Sequence, residues 1–326
     1  MKAIVHTQYG SPDVLHIQEV ERPAPNDSHV LVRVHAVSLN PAEAHMRRAE
    51  PMARLLAGNG LLKPKHPVLG ADFAGRVEAV GSNVTQFKPG DEVFGRRAPN
   101  GFAEYVCVGE NSIVLKPANI TFEQAASVPI AAVTALQSLR DDGQIQPGQK
   151  VLINGASGGV GTFTVQIAKA FGAHVTAVCS MRNLDLVRSL GADQVIDYTR
   201  EDFTRSGQRY DLIIDNVGNH SISDYTRALC PKGICVITGY TSMVLLLQHL
   251  VMGRLISRIG SKKIGMMLAR ITKKDLVVLK ELMEAGKVVP VVDRCYSLSE
   301  VPEAYRYLET RHARGKIVVT FEQNDK

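Results

Sequence analysis

"INGASGGVGTF", residues 153–163, is the stretch whose reading decides the fold. It approximates the turn G-x-G-x-x-G, with Ala156 in place of the first glycine and Gly158 and Gly161 in the other two positions. When such a turn follows a strand and starts a helix, backbone N–H groups and the positive end of the helix dipole face a pyrophosphate. The flanks supply that setting: "KVLING" reads as a buried strand and "GTFTVQIAKAFG" as a helix closed by Gly172. Gly158 lets the backbone approach a phosphate closely, and Gly161 lets the helix pack on its strand. Ala156 is compatible with the turn if its φ is negative.

Downstream the alternation continues with "HVTAVC", "LDLVRSLG", "QVIDY", "YDLIIDNV", a helix near 221–230, and "GICVITGY". Continuous apolar strands separated by amphipathic helices imply a doubly wound parallel sheet of α/β class, covered on both faces. Upstream the pattern differs. Short strands such as "HVLVRVHAVSL", "AGRVEAVG", "DEVFG", "FAEYVCV" and "SIVLKP" are separated by turn residues, with one helix expected from Pro41 to Ala57. Thr121 and Gln124 form a capping box that starts a helix running through "ANITFEQAASVPIAAVTALQSLR". Past Gly286 the chain returns to a β pattern. The expected organisation is a β-rich catalytic domain, 1–122 and 292–326, interrupted by a cofactor domain, 123–291.

Charge and cysteine usage exclude several classes. The net charge is +6, but seven basic residues and no acidic one lie between Met243 and Lys274, leaving 31 basic against 32 acidic elsewhere. A segment confined in this way is not a nucleic-acid surface, and no nucleic-acid partner is expected. The segment 243–274 reads as amphipathic helices, which could serve as a lipophilic lid over a substrate cleft or as a weak peripheral contact with an anionic membrane, or be a helical insert with a solvated basic face. The five cysteines are scattered, without C-x-x-C pairs, which fits a reducing cytoplasmic compartment. The start, "MKAIVHTQYG", reads as a strand and not as a signal peptide.

An NAD-binding unit places a carboxylate about 20 residues beyond its glycine turn, on the ribose diol. Here that place reads "VCSMRN", with Ser180 and Arg182, a hydroxyl and a guanidinium suited to a 2′-phosphate. NADPH is the expected cofactor. Tyr198, ending the third strand, is a candidate for the adenine-ribose pocket. Asn216, Val217 and Gly218 in "DNVGN", and Tyr240 at the end of "GICVITGY", are candidates for the nicotinamide half.

The runs "SLNPAEAHMRR", "HPVLGADFAGRVEAVG", "FKPGDEVFG", "GASGGVGTF", "GADQVIDY" and "HARGKIVV" resemble the medium-chain dehydrogenase/reductase superfamily, in its zinc-independent quinone-oxidoreductase branch. The resemblance implies a GroES-like β domain beside a Rossmann domain. It also implies NADPH contacts at Ser157, Gly159, Val160, Ser180 and Tyr198, and at His312, Ala313 and Arg314. The zinc enzymes of the superfamily carry a Cys and a G-H-E. Here the corresponding stretches read Ser38-Leu39-Asn40 and Gly70-Ala71-Asp72, so no metal is expected.

Without a Lewis acid, hydride transfer is easiest to a substrate that delocalises the charge formed, such as an enone or a quinone. A lipophilic conjugated carbonyl or quinone is therefore the expected partner, with the protein a monomer or homodimer. Asn40 is a candidate to orient cofactor amide or substrate carbonyl, His45 to donate a proton, and Thr134 to touch the nicotinamide. Lys63 and Lys65 read as solvated. The alternative is a non-catalytic NADPH-binding sensor or partner-binding protein on the same fold.

Overall fold

The computed structural model describes residues 1–50 and 63–321. The chain divides into two compact units, numbered here with strands and helices in chain order. Unit 1 comprises Met1–Ile130, Ile271–Glu284 and Pro290–Lys326; unit 2 comprises Ala131–Arg270 and Ala285–Val289.

Unit 1 is built on alternation. Strands β1 (Lys2–Val5) and β2 (His16–Glu19) pair with each other. Strands β3 (His29–Ser38), β4 (Asp72–Val80), β5 (Glu92–Arg96), β6 (Tyr105–Gly109) and β7 (Ile113–Leu115) join β14 (Val292–Ser297) and β15 (Lys316–Thr320) in a seven-stranded sheet. Its order is β14-β15-β3-β4-β5-β7, with β6 on β3. Inward residues such as Val32, Val34, Phe73, Phe102 and Tyr305 form one apolar core. Pairing of β3 with β4 ends at Ser38 opposite Asp72, and that end carries the polar cluster described below.

The helices of unit 1 are short at its N-terminal side. Helix α1 (Pro41–Arg47) is started by Pro41 at the first helical position. It ends before residues 51–57 of the longer expected helix, which lie outside the described residues. Helix α2 (Phe122–Ala126) carries the expected capping box: the Thr121 hydroxyl accepts from the Gln124 N–H at 3.2 Å, and the Gln124 side chain accepts from the Thr121 N–H at 3.0 Å. The single helix expected from this start is in fact two. Pro129 lacks an N–H and disfavours helical φ/ψ in Val128, so α3 (Pro129–Gln137) begins anew.

Unit 2 is a parallel six-stranded sheet of order β10-β9-β8-β11-β12-β13. The strands are β8 (Lys150–Asn154), β9 (His174–Cys179), β10 (Gln194–Asp197), β11 (Tyr210–Asp215), β12 (Leu229–Ile237) and β13 (Lys263–Met266). Helices α4 (Gly159–Ala170), α5 (Leu184–Ser189), α6 (Ile222–Ala228) and α7 (Met243–Ile259) connect them. The order reverses beside β8, so the crevice at the carboxyl ends of β8 and β11 is the topological switch point where such sheets bind ligands.

Two expectations are corrected. The basic segment 243–274 is not helical throughout: after α7, β13 joins β12 in parallel and forms the sheet edge. The run is only four residues long, too short for its period to be read, and it is held because Ile264 is buried and its N–H reaches the Ser257 hydroxyl at 2.9 Å. The last helix of the expected cofactor domain, α8 (Lys273–Glu284), belongs instead to unit 1. Its Leu276, Leu279 and Met283 are buried, and the Met283 carbonyl accepts from Asn119 at 2.9 Å. Helix α9 (Val301–Glu309) completes unit 1.

Close packing of α4 on β8 depends on Gly161. A Cβ there would lie 2.1 Å from the Gly155 carbonyl oxygen, a contact backbone cannot relieve without moving. We expect Gly161→Ala to destabilise the protein by about 1–3 kcal/mol, the usual cost of overpacking, read as a lowered midpoint in urea or thermal unfolding.

Candidate cofactor and catalytic site

The unit 2 candidates converge on one edge of the sheet. Ser157 to Gly161 follow β8, Ser180 and Arg182 follow β9, Tyr198 follows β10, Asn216 to Gly218 follow β11, and Tyr240 follows β12. In a parallel sheet these are all carboxyl ends, so topology alone gathers residues spread over 84 positions of sequence, from Ser157 to Tyr240.

The glycine turn separates the duties of its residues. Gly155 takes the positive φ, +73°, and leaves Ala156 outside the left-handed region, buried, with its N–H on the Val178 carbonyl at 3.0 Å. Gly158 is the N-cap of α4 with φ −81°, a value any residue adopts. A Cβ at Gly158 would meet only the Gly155 carbonyl oxygen, at 3.5 Å, ordinary van der Waals contact. The fold therefore does not require glycine at 158. The space a Cβ would fill lies at the first turn of a 12-residue helix, where unpaired N–H groups receive a phosphate. This turn fits a dinucleotide.

A polar lattice fixes the neighbouring loops. Asn183 donates to the Ser157 hydroxyl at 2.9 Å and to the Ser180 hydroxyl at 3.3 Å, joining the loops after β8 and β9. Asn154 donates to Asp215 at 3.1 Å and to Asn219 at 3.0 Å. The fully buried Asp215 accepts from the N–H groups of Val217 and Gly218, each at 2.8 Å, and from the Tyr225 hydroxyl at 2.6 Å. Asn216 is held by Thr238 at 2.8 Å. Sequence reasoning missed Asn154, Asn183 and Asp215. Their signal was a polar residue ending each otherwise apolar strand or opening the loop after it. Arg182 and Tyr198 are exposed beside this lattice, and no carboxylate ends β9. Thr134 is buried within α3.

Unit 1 holds the other candidates. Asn40, 2% exposed, precedes α1, and its N–H donates to Glu43 at 3.1 Å. The Asn40 amide donates to Asp72 at 3.2 Å, and its oxygen accepts from Lys316 at 2.7 Å. The Lys316 ammonium also reaches the Leu39 carbonyl at 2.7 Å, while Asp72 accepts from the Ile130 N–H at 3.0 Å and Glu43 from the Tyr305 hydroxyl at 2.9 Å. Burial raises the Glu43 carboxyl to about 7, aided by the charge of Asp72, and raises Asp72 to about 6 against the pull of Lys316. Burial lowers Lys316.

His45 is not part of this cluster. It lies inside α1, and its Nδ1 is 2.7 Å from Glu50. Asn40 is the N-cap of α1 and His45 lies within the helix, so the two catalytic candidates are not brought together. His312, Ala313 and Arg314 lie between α9 and β15, where the Arg314 N–H donates to Asp293 at 2.9 Å. Lys63 and Lys65 are exposed, as expected.

A zinc ion does not fit where the family would place it. The donors are a serine hydroxyl, an amide and a carboxylate already accepting from the Asn40 amide and the Ile130 N–H, with no thiolate or imidazole. Among the described residues no group of three metal-binding side chains occurs.

Comparison with known proteins places this geometry. The Alcohol dehydrogenase GroES-like domain family matches residues 26–118, and the Zinc-binding dehydrogenase family matches 190–319. The mitochondrial NAD(P)H oxidoreductase RTN4IP1 of Bos taurus is 38% identical, over 98% of this chain and 89% of that protein. The chain belongs to the medium-chain dehydrogenase/reductase superfamily. The chloroplastic NADPH-dependent alkenal/one oxidoreductase of Arabidopsis thaliana is 36% identical, over 98% of this chain and 79% of its own. The solved quinone oxidoreductase of Coxiella burnetii is 33% identical with a TM-score of 0.85, covering 99% of both chains. These relatives are named as NAD(P)H, alkenal/one and quinone oxidoreductases, and the chain is an enzyme of that type, a nicotinamide-dependent oxidoreductase.

Two outcomes test the site. Gly158→Ala will leave the unfolding midpoint within about 0.5 kcal/mol of the parent, the range of changes that touch no packed feature, yet weaken cofactor binding in a fluorescence titration. The second concerns pH. Carboxyls whose folded pKa lies above the unfolded value favour the protonated form, so stability is fullest below the unfolded values, 4.5 for Glu43 and 3.8 for Asp72, and falls as pH rises through about 7 and about 6. Glu43→Gln will flatten that fall and stabilise the protein at pH 8 by about 1–3 kcal/mol, measured by urea unfolding at pH 5 and 8.

Proposed function

We propose that the chain is a zinc-independent, NADPH-dependent reductase of quinones and α,β-unsaturated carbonyls. The observation that carries the reading is the intact dinucleotide turn of unit 2, taken with a unit 1 sequence that reads Ser38 and Ala71 where the zinc enzymes carry Cys and His. Bound at that turn, the dinucleotide supplies the hydride. The chain's residues do the rest. Ser157, Gly158, Gly159, Val160 and Gly161 hold the pyrophosphate. Ser180, Arg182 and Tyr198 take the adenine-ribose end, with Arg182 on the 2′-phosphate. Thr134, Asn216, Val217, Gly218 and Tyr240 line the nicotinamide half, and His312, Ala313 and Arg314 add contacts from the C-terminal run.

An ordinary ketone reduced without a metal leaves a localised alkoxide, which this donor set cannot stabilise. A quinone or enone spreads the charge over a conjugated system, and a phenol ionises near pH 10, so hydrogen bonds suffice. Asn40, locked by Lys316 and Asp72, is a positioning residue for the carbonyl end of the site. His45, whose Nδ1 lies 2.7 Å from Glu50, is the proton donor. Relatives named as quinone and alkenal/one oxidoreductases support the substrate class. Five free cysteines support a reducing, cytoplasmic setting.

The test follows NADPH oxidation against a panel of quinones, short-chain enones and simple ketones, with NADH in parallel. Turnover of quinones or enones with NADPH preferred by tenfold or more, in enzyme free of zinc by metal analysis, is expected, and Arg182→Ala will narrow that preference. Turnover of simple ketones alone, or stoichiometric zinc, would overturn the reading.

A further inference from the structure

Helix α7 is apolar on both sides, and only one of them is used by the fold. Leu246 and His249 face inward, the latter with its Nε2 on the His220 carbonyl at 2.9 Å, and Ser242 caps the first turn through the Leu245 N–H at 3.3 Å. The opposite face presents Val244, Leu247, Val251, Met252, Leu255 and Ile259, each 41–78% exposed. At 100° per residue these six lie within a sector of roughly 140°. Of the fourteen large apolar side chains exposed among the described residues, seven belong to this helix, so the face is a patch and not a scatter.

The charge around the patch selects its occupant. From Met243 to Arg270 there are five basic residues and no acidic one. Arg258 and Lys263 are exposed at the C-terminal end of the stripe, and among the described residues neither is in an ion pair with a carboxylate. Two copies meeting through this face would bring like charges together, which disfavours self-association here. The helix, about 25 Å long by its 17 residues, is too short to cross a bilayer, and no described helix meets the requirement for spanning. An apolar stripe with a cationic margin lies instead in the interfacial plane of an anionic leaflet, apolar side chains among the acyl chains and cations at the headgroups.

We propose that the outward face of α7 is a docking surface for anionic lipid membranes. This stands apart from the reductase reading: the surface binds whichever substrate is reduced.

The test is co-sedimentation of the full chain with vesicles of phosphatidylcholine alone, or with about one third phosphatidylserine. Binding is expected to the anionic vesicles at low salt and to fall by about tenfold at high salt. Leu247→Glu with Val251→Glu will abolish it, and Arg258→Glu will reduce it several-fold. Unchanged thermal unfolding and NADPH binding in these variants will show that the fold is intact. Equal binding to both vesicle types, binding unaffected by the double substitution, or no binding at low salt would each overturn the proposal. So would a dimer in sedimentation velocity that the double substitution dissolves, which would assign the face to a second copy.

Discussion

One buried ammonium organises unit 1. Lys316 opens β15, and its nitrogen bonds the Leu39 carbonyl and the Asn40 amide, while Asn40 holds Asp72 at the start of β4 and Asp72 holds the N–H of Ile130. A charge removed from water is tolerated only when its partners are in place, so loss of any member leaves another uncompensated. The cluster thereby sets the spacing of the ends of β3, β4 and β15 and the start of α1. Ser38 and Ala71, which by resemblance correspond to the Cys and His of the zinc enzymes, are sequence neighbours of Leu39 and of Asp72 in this cluster.

Unit 2 works by a different economy. Its strands are apolar and interchangeable in kind, and specificity is confined to the residues at and after their carboxyl ends. Asp215 illustrates this: one carboxylate orders the loop after β11 through two backbone N–H groups, and its Tyr225 bond ties that loop to α6. The glycine turn divides the same way. Gly155 and Gly161 serve the chain, whereas Gly158 is needed only by what binds.

What sequence reading could see follows from range. The strands and helices of unit 2 were visible because period and turn chemistry act over a few residues, and the Thr121 capping box because its partners are three apart. The break at Pro129 was legible in principle but was overridden by the apolar run around it. Strand β13 was hidden by its length. Helix α8 was assigned to the wrong unit because nothing local distinguishes the two cores that could bury Leu276 and Leu279. The Lys316 cluster could not be read at all: its lysine and Asn40 are 276 residues apart, and no spacing rule operates over that distance. The candidate cofactor loops were legible because a parallel sheet carries every strand end to one side. The lattice of Asn154, Asn183 and Asp215 that fixes them was not.

The position of Lys316 near the end of the chain also bears on biosynthesis. Asp72 and Glu43 leave the ribosome long before the ammonium that compensates them, and β3 lacks its β15 neighbour until then. The sheet of unit 2 is encoded without interruption between Lys150 and Met266 and emerges complete while unit 1 is still missing a strand and a counter-charge. In chain order, then, the strands of the inserted sheet are contiguous, whereas the sheet of unit 1 draws β14 and β15 from beyond it.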